Sequence, residues 1–223
     1  MKRHLAATLA IVLAAAAAAS AQPPDNRRIL TRGADEDGIA FRPFVMGTEQ
    51  TFAAAHTFEA VFGRSHEPFF GGGLQVVKSR YFAEIVASRF RKTGQRAVLV
   101  NNEPFRLGLP LTAEITPFEV IGGYRFDLRP SQIIVPYAGA GIGTYAYKES
   151  SPSSDPDENI DTRHSGFVLM GGVEFRLHRW VRLGVDEQYT RVPGILGVAG
   201  ISKAAAEDNL GGIAFRFKVV VGR

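Results

Sequence analysis

The feature that most narrows what this chain can become is a two-residue rhythm between His164 and Val192, HSGFVLMGGVEFRLHRWVRLGVDEQYTRV. Phe167, Leu169, Gly171, Val173, Phe175 and Leu177 form one row, and Val168, Met170, Gly172, Glu174 and Arg176 form the other. After a tight turn at His178-Arg179 the rhythm resumes, with Val181, Leu183, Val185 and Tyr189 set against Arg182, Asp186, Gln188 and Thr190. Successive side chains of a strand point to opposite faces, so the stretch predicts a hairpin with one apolar and one charged-polar face. Two environments accept such a ribbon: a soluble sheet over a core, or a barrel with lipid outside and a polar lumen.

The ends of the chain bear on that choice. Lys2, Arg3 and His4 precede an unbroken apolar run from Leu5 to Ala18, and Ala19-Ser20-Ala21 supplies small residues for cleavage. This pattern predicts an export signal over 1–21 that is removed, rather than a membrane anchor, because the run is short for a span. Residues 22–38 are rich in proline and charge without a period and read as a flexible periplasmic leader. Losing Lys2 and Arg3 lowers the formal charge from +4 to +2, too mild a balance for a nucleic-acid partner. The chain has no cysteine, so an exported domain would take no stability from disulfides. No later stretch approaches the ~20 apolar residues of a membrane helix; a mature chain resident in a membrane would therefore be a closed barrel.

Taken in order, the first strand is expected over Ile39–Phe52. Ala53 to Phe62 breaks the period; Ala54, Phe58, Val61 and Phe62 fit a short helix or, equally, a frayed hairpin tip. Further strands are expected over Phe69–Lys78 and Tyr81–Lys92, joined by a short turn at Ser79-Arg80. Residues 93–110, with Gly94, Asn101-Asn102, Pro104, Gly108 and Pro110, read as a long loop. Leu111–Phe126 changes phase: Leu111, Ala113 and Ile115 sit on odd positions, Phe118, Val120, Tyr124 and Phe126 on even ones, which predicts a β-bulge beside Pro117. After a turn at 127–132, a fifth strand spans Ile133–Tyr147. Its Gly139-x-Gly141-x-Gly143 lacks the third glycine and the helix of a dinucleotide fingerprint. A polar loop at 148–163 leads into the hairpin, a loop at 193–208 follows it, and Asn209–Val221 is the last strand.

That makes an all-β chain of eight strands, with long connections after the odd strands and short ones after the even strands. An eight-stranded antiparallel up-and-down transmembrane β-barrel over 39–223, with short periplasmic turns and long extracellular loops, has this rhythm. Its lumen would hold a charge network of Glu84, Glu119, Arg125, Glu174, Arg176, Arg182, Asp186, Arg216 and Lys218. Lipid would meet Phe167, Leu169, Val173, Phe175, Ile213, Phe215 and Phe217. Tyr81, Phe126, Phe175 and Trp180 would form an interfacial girdle at the short-turn ends, with Tyr145, Tyr147 and Tyr189 at the long-loop ends. The reverse reading is a solvated outer face over an apolar core, as in a soluble lipocalin-type lipid-binding barrel.

VPYAGAGIGTYAY followed by GFVLMGGVEFRLHRWVRLGVDEQYTRV resembles the small OmpA/OmpX-like outer-membrane β-barrel proteins, the porin-like outer-membrane β-barrel domain family, most clearly over 134–192 and more weakly from 39 to 221. The resemblance implies passage through the export translocon and folding by the barrel-assembly machinery. It also implies residence in the outer membrane of a Gram-negative-type bacterium, among outer-membrane lipids and lipopolysaccharide. A monomer without cofactor is expected.

Catalytic candidates are few. His56, His66, His164 and His178 fall in expected loops or turns, where a solvated histidine is the default. His164-Ser165, with acidic residues upstream, is the best prospect for a lipid-modifying hydrolase, but neither G-x-S-x-G nor H-E-x-x-H occurs. Asp155-Pro156-Asp157-Glu158 lacks the spacing and glycine of an EF-hand, so a solvated acidic loop is preferred to a calcium site. The expectation is a non-enzymatic barrel with neither catalytic nor metal-binding residues, whose long outer loops serve surface contact or envelope integrity.

Overall fold

The computed structural model describes residues 38–100, 103–127, 132–152, 159–197 and 200–222. The expected signal, the expected leader up to residue 37, and the acidic run Asp155–Glu158 lie outside these residues. Eight strands follow in order: β1 (Ile39–Phe52), β2 (His66–Lys78), β3 (Tyr81–Val100), β4 (Glu103–Arg125), β5 (Ile134–Ser150), β6 (Ile160–His178), β7 (Val181–Arg191) and β8 (Gly212–Val221). Each pairs antiparallel with its sequence neighbours, and β8 closes on β1 from Phe44↔Val220 to Phe52↔Gly212, giving one closed barrel. Among the described residues two short helices lie between strands, α1 (Ala55–Phe62) after β1 and α2 (Gly200–Ala204) before β8. The helical spacing of Ala54, Phe58, Val61 and Phe62 is thus realised as α1, and the stretch 193–208 is not wholly loop.

The distribution of side chains is inverted relative to a soluble domain. Phe41, Val45, Phe70 and Ile142 face outward with 63–71% of their surface exposed, whereas Glu84, Asp186, Arg216 and Lys218 face inward with 0–1% exposed. A soluble surface does not carry a contiguous belt of that kind, whereas lipid requires one. The opening hairpin has the expected faces: Val168, Met170, Gly172 and Glu174 are buried, while Phe167 and Leu169 are exposed.

Two expectations about β3 and β4 are corrected. Residues 93–100 and 103–110 are strand, not loop. β3 and β4 run on as a two-stranded arm to Val100↔Glu103, well past the last neighbours on either side, Arg89↔Phe70 and Thr112↔Ser150. The two strands are 20 and 23 residues long against the ~9–11 that cross a bilayer, so the arm projects beyond the barrel. Nor is there a bulge at Pro117, because the β3–β4 register is the same on both sides of it, from Tyr81↔Tyr124 to Gln95↔Pro110. Odd residues of β4 face inward throughout, from Leu111, Ala113 and Ile115 to Glu119, Ile121 and Arg125. What changes along β4 is the chemistry of the interior. The bulge falls higher, where Gln95 pairs with Pro110 but Ala97 pairs with Arg106, and Gly108 takes up a left-handed φ of 73°. Strands β5 and β6 also reach further into the 148–163 stretch than expected, to Ser150 and from Ile160.

The interior is narrow enough that one inward glycine decides local packing. A Cβ on Gly123 would lie 2.3 Å from the Phe82 ring, so the glycine makes room for that ring to cross the lumen. Replacing Phe215, 58% exposed on the outer face of β8, with arginine is expected to cost about 2–4 kcal/mol of membrane stability. The measure is the fraction of protein that shows heat-modifiable gel mobility after folding into vesicles. Wild-type yield from Phe215→Arg would contradict a lipid-facing β8.

Candidate functional site

The barrel interior is built in three layers. At the short-turn end, Arg42, Arg125, Arg176 and Arg182 face Glu174 and Asp127. Arg125 Nη2 lies 2.6 Å and Arg182 Nε 3.4 Å from Glu174 Oε1, and Arg176 pairs with Asp127 at the rim. In the middle, Asp186 takes Arg216 Nε at 2.5 Å and Lys218 Nζ at 3.2 Å, and accepts a hydrogen bond from the Tyr137 hydroxyl at 2.7 Å. Lys218 also reaches Glu84 at 2.9 Å, and Gln75 donates to the same Glu84 oxygen at 2.9 Å. Glu119 stands apart from these pairs, accepting from Tyr145 at 2.6 Å and Gln188 at 3.0 Å. Phe44, Phe82, Val86, Ile121 and Val168 fill the space around the charges.

The third layer is apolar. Phe52, Phe69 and Phe90 meet under α1, with Phe58 of the helix stacked on Phe52 at 3.6 Å and Phe69 stacked on Phe90 at 5.2 Å. Tyr145 and Tyr147, expected in an outer girdle, are buried inside. The odd face of β5 is the inward one, and their hydroxyls bond Glu119 and Glu149. Beside this plug, the buried Glu67 takes Lys92 Nζ at 2.5 Å and Arg64 Nη2 at 3.0 Å.

Helix α1 is held at both ends by residues far along the chain. Ala54 has no side chain with which to cap the helix. Glu207, from the β7–β8 connection, substitutes: it accepts from the backbone N–H of Thr57 at 2.8 Å and of His56 at 3.0 Å, and from the Thr57 hydroxyl at 2.7 Å. At the other end Gly63, with φ 83°, turns the chain out, and Arg106 of the arm donates to the carbonyls of Ala60 (2.9 Å) and Glu59 (3.2 Å). A carboxylate at the N-terminus and a guanidinium at the C-terminus also suit the helix dipole. The arm and two loops thereby become one cap over the outer mouth.

The outward residues Phe167, Leu169, Val173, Phe175, Ile213, Phe215 and Phe217 lie on the faces of β6 and β8 opposite the buried row. At the short-turn end Tyr81, Tyr124 and Phe126 form an edge-to-face chain, 5.5 and 5.3 Å between centroids, with Trp180 41% exposed at the neighbouring turn. Tyr189 packs against Phe167 at 6.0 Å. His164 and Ser165 are adjacent in β6 and so point to opposite faces, which separates the Ser/His pair considered for a hydrolase. Among the described residues no group of three His, Cys, Asp or Glu side chains is placed to hold a metal ion. The sequence reading did not single out Arg42, Tyr137, Arg106 or Glu207. Arg42 does lie on the even, inward row of β1, but Arg106 and Glu207 fall in stretches with no period at all.

A closed eight-stranded antiparallel sheet with an apolar exterior and a charged interior is the architecture of an integral outer-membrane barrel. No family profile and no curated protein sequence matches the chain. Among solved structures it is similar to the N-terminal β-barrel domain of Pseudomonas aeruginosa OprF, at 10% identity over 82% of this chain and 97% of that one, with a TM-score of 0.46. It is also similar to Ail, the attachment invasion locus protein of Yersinia pestis (12% identity, 83% and 97% covered, TM-score 0.47). A third is a major outer membrane protein from Thermus thermophilus (11% identity, 82% and 100% covered, TM-score 0.48).

Asp186→Ala is expected to destabilise the folded barrel by about 3–5 kcal/mol in urea titrations in detergent, because it strands Arg216 and Lys218 without their shared carboxylate. Replacing Glu84, Asp186, Arg216 and Lys218 together with apolar residues of similar volume, so that no charge of the set is left without a partner, should recover most of that loss. At the cap, burial works against the charge of Glu207, but hydrogen bonds from Thr57 and His56 outweigh it and hold the carboxyl below the usual carboxylate range. A carboxyl depressed in the folded state contributes fully above its unfolded value of ~4.3 and loses that contribution as pH falls through the folded value. The protection factors of the α1 amides in hydrogen exchange, which correct for the intrinsic pH dependence of exchange, should therefore fall on acidification below that unfolded value. In Glu207→Gln the protection factors should already be lower at neutral pH, by on the order of fivefold, and change little on acidification.

Proposed function

We propose that this outer-membrane barrel is non-enzymatic and does not conduct, and that its role is surface contact or envelope integrity, exercised through the cap and arm. The observation that carries this reading is the filled lumen: interlocked cations and carboxylates below, and an aromatic plug under α1 above. An eight-stranded barrel has room for side chains and little else, so such a lattice leaves no general diffusion path. The arm, by contrast, shows Val98, Phe105 and Leu107 at 38–59% exposure on a ribbon that no neighbouring strand flanks. Ordered, exposed apolar side chains held above a membrane are more useful for contact than for stability. The partners this implies are outer-leaflet lipids, including lipopolysaccharide, along its belt, and the export translocon and barrel-assembly machinery during biogenesis. Ring closure leaves no strand edge within the bilayer for pairing with a second copy, in keeping with a monomer.

The test combines location and conductance. The protein should fractionate with outer membranes, need detergent for extraction and shift its gel mobility on heating. In planar bilayers it should show no channel steps, and deleting 94–108 should abolish surface binding while leaving heat-modifiability intact. Recovery as a freely soluble monomer would overturn membrane residence, and stable ion conductance would overturn the filled lumen.

A further inference from the structure

Between the charged middle layer and the aromatic plug lies a cavity of about 40 Å³. Phe52, Phe69, Ile115 and Leu210 line its upper part, and Thr48, Glu119, Gln188 and Arg216 contribute polar groups. Three buried polar atoms of this lining have no hydrogen-bond partner in the protein: Thr48 Oγ1, Gln188 Oε1 and Arg216 Nη1. Arg216 is 1% and Gln188 5% exposed, so bulk solvent does not serve them. The rest of each side chain is committed. Arg216 Nε is on Asp186 and Nη2 on the Met170 sulfur, while Gln188 Nε2 donates to Glu119 and Thr190. The Glu119 carboxylate needs a donor from Gln188, which fixes the amide so that Oε1 is the atom left over.

We propose that this cavity is a hydration site holding a small cluster of ordered water molecules that complete the lattice. The volume fits: a buried water needs roughly 10–15 Å³ of such space, so about three are accommodated, against the ~300 Å³ at which organic ligand pockets begin. The chemistry fits as well. One leftover group is a donor, one is an acceptor and one is a hydroxyl that can be either, a mixture that water satisfies and an ion does not. An anion would meet Glu119, and a cation would meet Arg216. The cluster would bridge Gln188 and Thr48 to Arg216, joining the isolated Glu119 group to the Asp186 centre.

Thr48→Val separates this from a dry cavity, because it removes the hydroxyl at nearly constant volume. If water is bound, the hydroxyl has a partner, and its loss should lower the folded-to-unfolded ratio in urea on the order of fivefold. If the cavity is dry, Thr48 Oγ1 is a buried unsatisfied group, and the valine should leave the ratio unchanged or raise it, which would overturn the proposal. A crystal structure of the wild-type barrel at high resolution gives the second reading. Two or three water peaks within hydrogen-bond reach of Arg216 Nη1 and Gln188 Oε1 are expected. An empty cavity, or density for one larger solute, would overturn the site.

Discussion

Closure of β8 onto β1 is the constraint from which the rest of this structure follows. In hydrocarbon a strand edge has no water to bond, so an open sheet would leave a row of unpaired amides and carbonyls, each costing several kcal/mol. The ladder from Phe44↔Val220 to Phe52↔Gly212 removes that row. Closing only eight strands makes the interior small, and the alternation of side chains sends half of every strand into it. Whatever faces inward must then be compatible with everything else facing inward. This explains why the interior charges occur as shared sets. Asp186 serves two cations and a tyrosine, Lys218 serves two carboxylates, and Glu174 serves two guanidinium groups.

Those buried pairs need not add net stability, because desolvating the charges consumes much of the attraction between them. Their effect is on specificity. A slip of β6 by one residue would carry Glu174 to the lipid face and Phe175 into the lumen, and a slip of β7 by one residue would do the same with Asp186 and Val185. The charge lattice therefore penalises every register but the observed one. The apolar residues packed among the charges, Phe44, Phe82 and Ile121, exclude water from the pairs and raise the cost of leaving any of them incomplete.

This is also why the hairpin at 164–192 was legible from its residues while β4 was not. In β6 and β7 the inward face stays polar in its lower half and the outward face stays apolar, so a two-residue alternation names both faces. Along β4 the inward row passes from the aromatic plug into the charge lattice, from Leu111, Ala113 and Ile115 to Glu119 and Arg125. Polarity then changes along one face as well as between faces, and hydrophobicity alone imitates a shift of register. The arm escaped notice for a different reason. Its residues 103–108 are exposed on both sides, so the ladder exists without the one-sided burial that produces a period, and its glycines and prolines read as loop. Glu207 and Arg106 were beyond reach altogether, since nothing local marks a residue as the cap of a helix some 150 or 46 positions away.

The cap shows how the two halves of the molecule divide their work. Below, order is imposed by a closed ladder and by charges that cannot be left unpaired. Above, no such compulsion exists: loops outside a barrel are free to be mobile, and ordering them costs conformational entropy. Yet α1 is fixed at its N-terminus by one loop, at its C-terminus by the arm, and on its underside by Phe52 and Phe90. Loops that only bridged strands would gain nothing from that expenditure. A surface that must present Phe105 and Leu107 in a fixed place does gain, because side chains ordered beforehand lose less freedom when a partner arrives. The rigid cap thereby adds to the filled lumen in support of the proposed surface contact.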